Sequence, residues 1–469
     1  MGGFFGTIAK NDCVKDLFYG TDYNSHLGTR RGGMAVLNAK GFTRSIHNIE
    51  NTYFRTKFES ELKDFRGNKG IGVISDNEAQ PIIVNSHHGK FAVVTVARIT
   101  NIKQLENKAL KNNLHFSETG PGGINPSELI ALLINEEETF EQGFIRVFEE
   151  IKGSCSILVL TKSGIYAARD KLGRTPVMIG RKKDALAVAS ESSCFPNLGY
   201  KVKKHLGPGE VVHITADGYR QVVKPRDNLQ ICAFLWVYYG YPTSVYEGVN
   251  VEQARYNCGA ALARNDMTEA DFVAGIPDSG IGHAIGYAIE KGIPYKRPYV
   301  KYTPTWPRSF MPYNQKDRDL VARMKLIPNS EIIRGKRLAF CDDSIVRGTQ
   351  LQDTVRELYK YGAAETHMRV ACPPLTYPCL FLNFSRSRSN LELASRKAIF
   401  KIKGRDAKED ELPLYSKTGS KEYNEMVETI RKRLKLTTLK YQTIEDLVKA
   451  IGLPKEKLCT HCWDGSGYF

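Results

Sequence analysis

The sequence predicts an α/β protein made of two unlike halves. Residues 1 to about 225 alternate short strand-like runs with turns. From about 232 strand and helix alternate instead, and one apolar strand there runs straight into two aspartates.

In the first half, residues 90–100 (KFAVVTVARIT), 155–160 and 210–214 read as strands, punctuated by Gly-Pro-Gly at 207–209 and by Asp217-Gly218. Helical periodicity lies between them at 127–134 and 140–151. The expectation is a strand-rich α+β domain of more than one layer over residues 1–225. In the second half Val251, Ala254, Cys258, Ala261 and Leu262 recur at helical spacing behind Asn250, a capping residue. A strand at 272–276, a helix at about 282–291 ending at Gly292, a strand at 337–341, a helix at 351–361 and a strand at 366–371 follow. That order implies a mainly parallel sheet over 226–400, with ligands at the C-terminal edges of its strands. Residues 401–469 begin with a Lys- and Glu-rich stretch to about 445, read as a charged surface excursion. They end in a segment carrying Cys459-Thr-His-Cys462.

Composition narrows the function classes. The chain has 469 residues, 42% hydrophobic and 25% charged, the balance of a globular protein. No run approaches the ~20 apolar residues of a membrane span, and no basic segment followed by an apolar stretch opens the chain. Gly6 stands where a myristoylation signal wants Ser or Thr, so a cytoplasmic protein with no lipid anchor is expected. The formal charge of +16 suits either nucleic acid or a substrate bearing several phosphates. The basic residues are spread along the chain without an aromatic-interleaved stripe, which favours the phosphates. The ten cysteines are scattered rather than dense, and Cys155, Cys258 and Cys341 lie among apolar neighbours as core thiols.

The run at 338–349, LAFCDDSIVRGT, carries the most chemistry. An apolar strand ends in Asp342 and Asp343. A short loop with Ser344, Arg347, Gly348 and Thr349 follows, and then a helix. Backbone N–H groups and hydroxyls at such a helix start favour a dianionic phosphate, and Gly348 permits close approach. The carboxylates would repel that phosphate. They make sense as acceptors for the vicinal hydroxyls of a ribose, beside a Mg²⁺ on a pyrophosphate. A second loop, Ile276-Pro-Asp278-Ser279-Gly280, is suited to presenting N–H groups to that pyrophosphate, with Ser279 also near the Mg²⁺. Two anion cradles on neighbouring strands fit the two ends of a ribose 5-phosphate pyrophosphate donor. Pyrophosphate leaves the anomeric carbon as positive charge builds on the sugar, so cations and exclusion of water are needed. Residues 301–311 (KYTPTWPRSFM), carrying Lys301 and Arg308, are the candidate lid.

With these motifs in place the chain resembles the glutamine phosphoribosylpyrophosphate amidotransferases over nearly its whole length. The likeness rests on IPDSG, on Arg323-Met-Lys-Leu-Ile-Pro328, on GKRLAFCDDSIVRGT, on Pro373-Pro-Leu-Thr-Tyr-Pro-Cys379 and on the terminal LCTHCW. The resemblance implies an Ntn-hydrolase-type sandwich, then a type I phosphoribosyltransferase domain, and activity in purine synthesis. Some family members hold a [4Fe–4S] cluster through four cysteines, and Cys232, Cys379, Cys459 and Cys462 match those positions. A Cys₄ set can also hold Zn²⁺.

The departures fall mostly in the first half. Where the family has an N-terminal Cys nucleophile in a sequence like Cys-Gly-Ile-Phe-Gly, this chain has Gly2-Gly-Phe-Phe-Gly6. The family's His-Thr-Arg is Val73-Ile74-Ser75, its oxyanion-hole Asn-Gly is Val96-Ala97, and its amine-binding Asp is Pro126. Cys13 is out of register to substitute. In the second half, 234–244 reads FLWVYYGYPTS for the family's FEYVYFARPDS, and Lys301-Tyr-Thr-Pro304 replaces Lys-Asn-Arg-Tyr. The expected function is therefore a phosphoribosyltransferase that uses ammonia, either free or supplied by another protein such as an active amidotransferase. A regulatory paralogue that only binds donor or nucleotide, or a transferase with another acceptor, are the alternatives. A homo-oligomer is expected.

Overall fold

A computed structural model describes residues 2–76, 78–120, 123–302, 326–382 and 389–467. The first half is two stacked antiparallel sheets. One has seven strands in the order Lys201–His205, Met178–Lys182, Ala185–Ala189, Gly2–Ala9, Lys69–Ser75, Arg31–Asn38, Gly41–Asn48. The other has six: Tyr219–Val223, Val211–Ile214, Ile165–Ala168, Gly153–Leu160, Gly89–Ile99, Ile82–Ser86.

Side chains alternate across a strand, so Gly2–Ala9 serves two interfaces. Phe4 and Ile8 meet Val94, Leu158 and Leu160 of the facing sheet. Phe5 and Ala9 turn the other way, toward Leu17 and Phe18 of helix Val14–Asp22. The outer face of the second sheet packs Phe91, Val93, Ile157 and Val159 on helices Pro126–Asn135 and Phe140–Glu150. Inner strands that are apolar on both faces leave one solution, a helix–sheet–sheet–helix sandwich.

The second half is built on four parallel strands in the order Phe272–Gly275, Arg337–Asp342, Glu365–Val370, Thr438–Tyr441. Helices Val251–Arg264 and Ile281–Lys291 pack on it and on each other. Asn250 caps the first by accepting from Gln253 N. One apolar cluster runs from Leu17 and Phe54 of the sandwich through Trp236 and Tyr246 to Phe340 and Met368, so the halves share a continuous core.

The reading of 401–445 as a surface excursion is corrected. Thr438–Tyr441 is the fourth strand of the parallel sheet, and helix Lys421–Leu434 covers it through Met426, Ile430 and Leu434. One buried residue per turn is enough to dock an amphipathic helix, and the charges that dominated the composition are its outer face. Among the described residues no helix is long and apolar enough to cross a membrane.

Candidate functional site

The strand Arg337–Asp342 lies between Phe272–Gly275 and Glu365–Val370, and both loops singled out by the motifs leave the same edge of the sheet. The 276–280 loop is tied to that edge: Ile276 N donates to Cys341 O (2.9 Å), and Gly280 N donates to Ile276 O (2.8 Å). A Cβ on Gly280 would stand 2.2 Å from Cys341 O, so only glycine lets the loop lie this close. Helix Ile281–Lys291 starts directly after it. The 342–349 loop ends at Gly348, whose φ of +73° turns the chain into helix Thr349–Lys360.

Asp342 Oδ1 accepts from Asp343 N (2.9 Å) and from Ser279 Oγ (3.4 Å), and Ser344 Oγ donates to Asp343 Oδ2 (2.5 Å). The two loops thus meet at the carboxylate pair. Burial pushes both carboxyls above the ordinary carboxylate range, and for Asp342 the neighbouring Asp343 charge pushes further.

Other expected residues are nearby but engaged. Lys301 Nζ lies 2.7 Å from Asp278 Oδ2, and Arg347 lies 2.5 Å from Glu392 Oε2. Arg308 lies outside the described residues, as does most of the candidate lid.

Asp342, Asp343, Ser279 and 344–349 line a cleft of about 980 Å³. Its other wall is formed by Tyr238 and Tyr239 of the 234–244 segment and by His26, Thr29, Arg30 and Asp76 of the sandwich, which had no signal in the sequence. Asp76 Oδ1 accepts from Thr29 N (2.8 Å) and Thr29 Oγ1 (3.2 Å). His26 pairs with buried Glu191 (3.0 Å), which also accepts from Tyr246 OH and Tyr241 N, so sandwich and transferase halves are laced together at the cleft.

The glutamine-site positions that depart from the amidotransferase pattern all lie in the sandwich half. Gly2 is paired with Ser75. The segment after Ser75 reaches the other two sites: Thr95 N donates to Gln80 Oε1 (2.7 Å), and Asn125 Nδ2 donates to Ala79 O (2.9 Å). Thr95 in turn bonds Ser127, next to Pro126 (2.7 Å). A Cβ on Gly2 would stand 2.6 Å from the backbone oxygen of Ile74. Cys13 is buried in the core between the first sheet and its helices.

Cys232, Cys379, Cys459 and Cys462 line one cavity of about 10 Å³, walled by Phe234, Phe381, Leu382 and Trp463. The short parallel pairing of Ile231–Cys232 with Leu458–Cys459 sets two of them side by side. Thr376 N and Tyr377 N both donate to Cys462 O (3.0 and 3.1 Å), which ties the segment bearing Cys379 to the one bearing Cys462. Burial raises the Cys232 and Cys459 thiols, and a bond to Cys379 together with burial raises Cys462. Among the described residues no group of three or more His, Cys, Asp or Glu side chains is gathered at metal-holding spacing.

A four-layer sandwich joined through one core to a parallel sheet, with paired carboxylates and two loops meeting at the sheet's edge, defines a two-part amidotransferase and phosphoribosyltransferase architecture. Residues 69–197 match the family model for a glutamine amidotransferase domain. The amidophosphoribosyltransferase of Mycobacterium bovis is 31% identical over 99% of this chain and 85% of its own length. That of Methanothermobacter thermautotrophicus is 29% identical over 99% and 93%. Among solved structures, the glutamine phosphoribosylpyrophosphate amidotransferase from B. subtilis, complexed with ADP and GMP, superposes with a TM-score of 0.84 at 28% identity, over 99% of this chain and 96% of that one. The chain belongs to the amidophosphoribosyltransferase family.

Proposed function

We propose that this protein forms phosphoribosylamine from phosphoribosylpyrophosphate and ammonia, as a step of purine biosynthesis, and does not release that ammonia from glutamine. The observation that carries this reading is the contrast between the halves. The Asp342-Asp343 pair and both anion loops are assembled on one cleft, whereas the strand end that would present the nucleophile is Gly2, packed against Ile74.

The residues then divide the work. Ser344, Arg347, Gly348 and Thr349 hold the 5-phosphate through N–H groups, hydroxyl and guanidinium at the start of helix Thr349–Lys360. Asp342 and Asp343 accept the ribose hydroxyls and orient the anomeric carbon toward the open cleft. Asp278, Ser279 and Gly280 hold the pyrophosphate, with Lys301, and with Arg308 from the lid. Asp342, Asp343 and Ser279 are the residues that would hold Mg²⁺, whose charge offsets the leaving pyrophosphate. The raised carboxyls fit this: burial and mutual repulsion favour an incoming cation at the pair.

The loss of glutamine hydrolysis is supported by the positions themselves: Gly2 and Ser75, paired across two strands, and Val96, Ala97 and Pro126 carry no nucleophile, carboxylate clamp, oxyanion donor or amine-binding acid. Ammonia is taken free or from another protein. The four cysteines are the residues that would hold a [4Fe–4S] cluster, a reading supported by their shared cavity and by the family resemblance; Zn²⁺ would use the same thiols.

The test is pyrophosphate release from the donor with Mg²⁺ and, in turn, ammonium, glutamine or no acceptor. Release stimulated by ammonium and not by glutamine is expected. Donor binding without release under any condition would instead make the chain a regulatory, donor-binding relative.

A further inference from the structure

The cavity lined by the four cysteines, Thr460 and His461 also holds an arginine that no motif flagged. Arg174, from the sandwich half, lines it and is 1% exposed. Its guanidinium carbon lies 3.4 Å from the centre of the Phe381 ring, and its side chain shares the cavity wall with Cys459. The backbone is fixed as well: Arg174 N donates to Asp170 Oδ1 (3.0 Å), and Cys232 N donates to Arg174 O (3.1 Å). Gln230 N donates to Leu172 O (2.7 Å), so the 170–174 turn is laced to the strand that bears Cys232. A second arginine of the sandwich, Arg98, donates to Cys379 O (2.5 Å).

Resting on the reading that these cysteines hold a metal group, we propose that Arg174 is the built-in countercation of that group and couples it to the sandwich half. Four thiolates around a doubly positive core, whether Zn²⁺ or an oxidised [4Fe–4S] core, leave two negative charges in a pocket walled by aromatic and aliphatic side chains. Buried charge of that kind needs a buried opposite charge at fixed distance. A guanidinium is the suited group: it stays charged, lies flat on an aromatic ring and directs N–H donors at sulfur. Cys379, Cys459 and Cys462 come from the transferase half and its C-terminal segment, whereas Arg174 comes from the sandwich. The electrostatic contact therefore spans the two halves. The metal group would then hold the catalytically silent half in place as well as the C-terminus.

The test uses full-length protein purified without oxygen, with Arg174→Met and Arg174→Lys. Metal content, the rate of metal release to a chelator and, for an iron cluster, the midpoint potential are read. Arg174→Met should release metal at least tenfold faster and lower the potential, because a removed positive charge favours the oxidised cluster; Arg174→Lys should lie nearer the wild type. Wild-type release rate and potential in both variants would overturn the inference and leave the four-cysteine site standing. A wild type with no bound metal would overturn both. Should zinc be the occupant, the release rate alone decides. Should Arg174→Met fail to accumulate, hydrogen exchange of the wild type before and after chelator treatment replaces it. Loss of protection at 170–175 on metal removal is expected, and unchanged protection there would overturn the coupling.

Discussion

Replacing Asp342 by Asn should stabilise the protein and disable it in the same step. Asn keeps the shape, and its Oδ1 can still accept from Asp343 N and Ser279 Oγ. What is lost is one of two adjacent charges in a site where burial and mutual repulsion hold the carboxyls above their ordinary range. A carboxyl with a raised folded pKa binds its proton more tightly in the native than in the unfolded chain. Its ionised form therefore costs stability above that raised pKa, and the cost fades as pH falls toward the ordinary carboxylate value. At neutral pH, relieving the repulsion should add on the order of 1 to 2 kcal/mol to the ligand-free protein, a rise of a few degrees in Tm. Donor binding should move the other way. A lost charge-assisted bond to a ribose hydroxyl and a lost metal-side charge cost about 1 to 3 kcal/mol each, which is tenfold or more in affinity. Thermal denaturation at pH 5 and 8, with calorimetric titration of donor and Mg²⁺, measures both. The gain in Tm should be larger at pH 8. A variant that binds donor as tightly as wild type, or whose Tm falls, would refute the assignment of this pair.

Other consequences follow from the same geometry. Purified protein should form no glutamate from glutamine, and Gly2→Cys should not change this. The new Cβ meets Ile74 O, and a nucleophile without oxyanion donors loses on the order of 10² to 10³ in rate; glutamate production by wild type, free of contaminating amidotransferase, would show the catalytic positions to be misassigned. Cys459→Ser in anaerobically prepared protein should remove both the broad absorbance of an iron–sulfur cluster and much of the stability, whereas stoichiometric zinc in the wild type would replace the cluster assignment and keep the site. Met426→Ala should cost about 2 to 5 kcal/mol by urea denaturation because the residue is wholly buried under the parallel sheet; a loss below 1 kcal/mol would return helix Lys421–Leu434 to the surface. Removing residues 1–225 should leave insoluble protein, since the deletion bares one side of a shared core.

Local chemistry was readable along the chain because it is written in consecutive residues. An apolar run, two acids, a glycine and a helix start stand together in 338–349, and the strand, loop and helix formed there with shifts of only one or two residues. The apolar run at 90–100 was readable in the same way, and it formed as strand Gly89–Ile99. The 421–434 helix was misread because composition averages over a helix, while burial depends on which face each residue occupies. Only the tertiary structure decided what lies opposite the 342–349 loop. His26, Arg30 and Asp76 reach the cleft from turns and bends some three hundred residues earlier in the chain. The same is true of Arg174 beside the four cysteines. A single sequence records which groups neighbour one another along the backbone; which distant charge shares a pocket is set by how the halves pack, through a core that belongs to both.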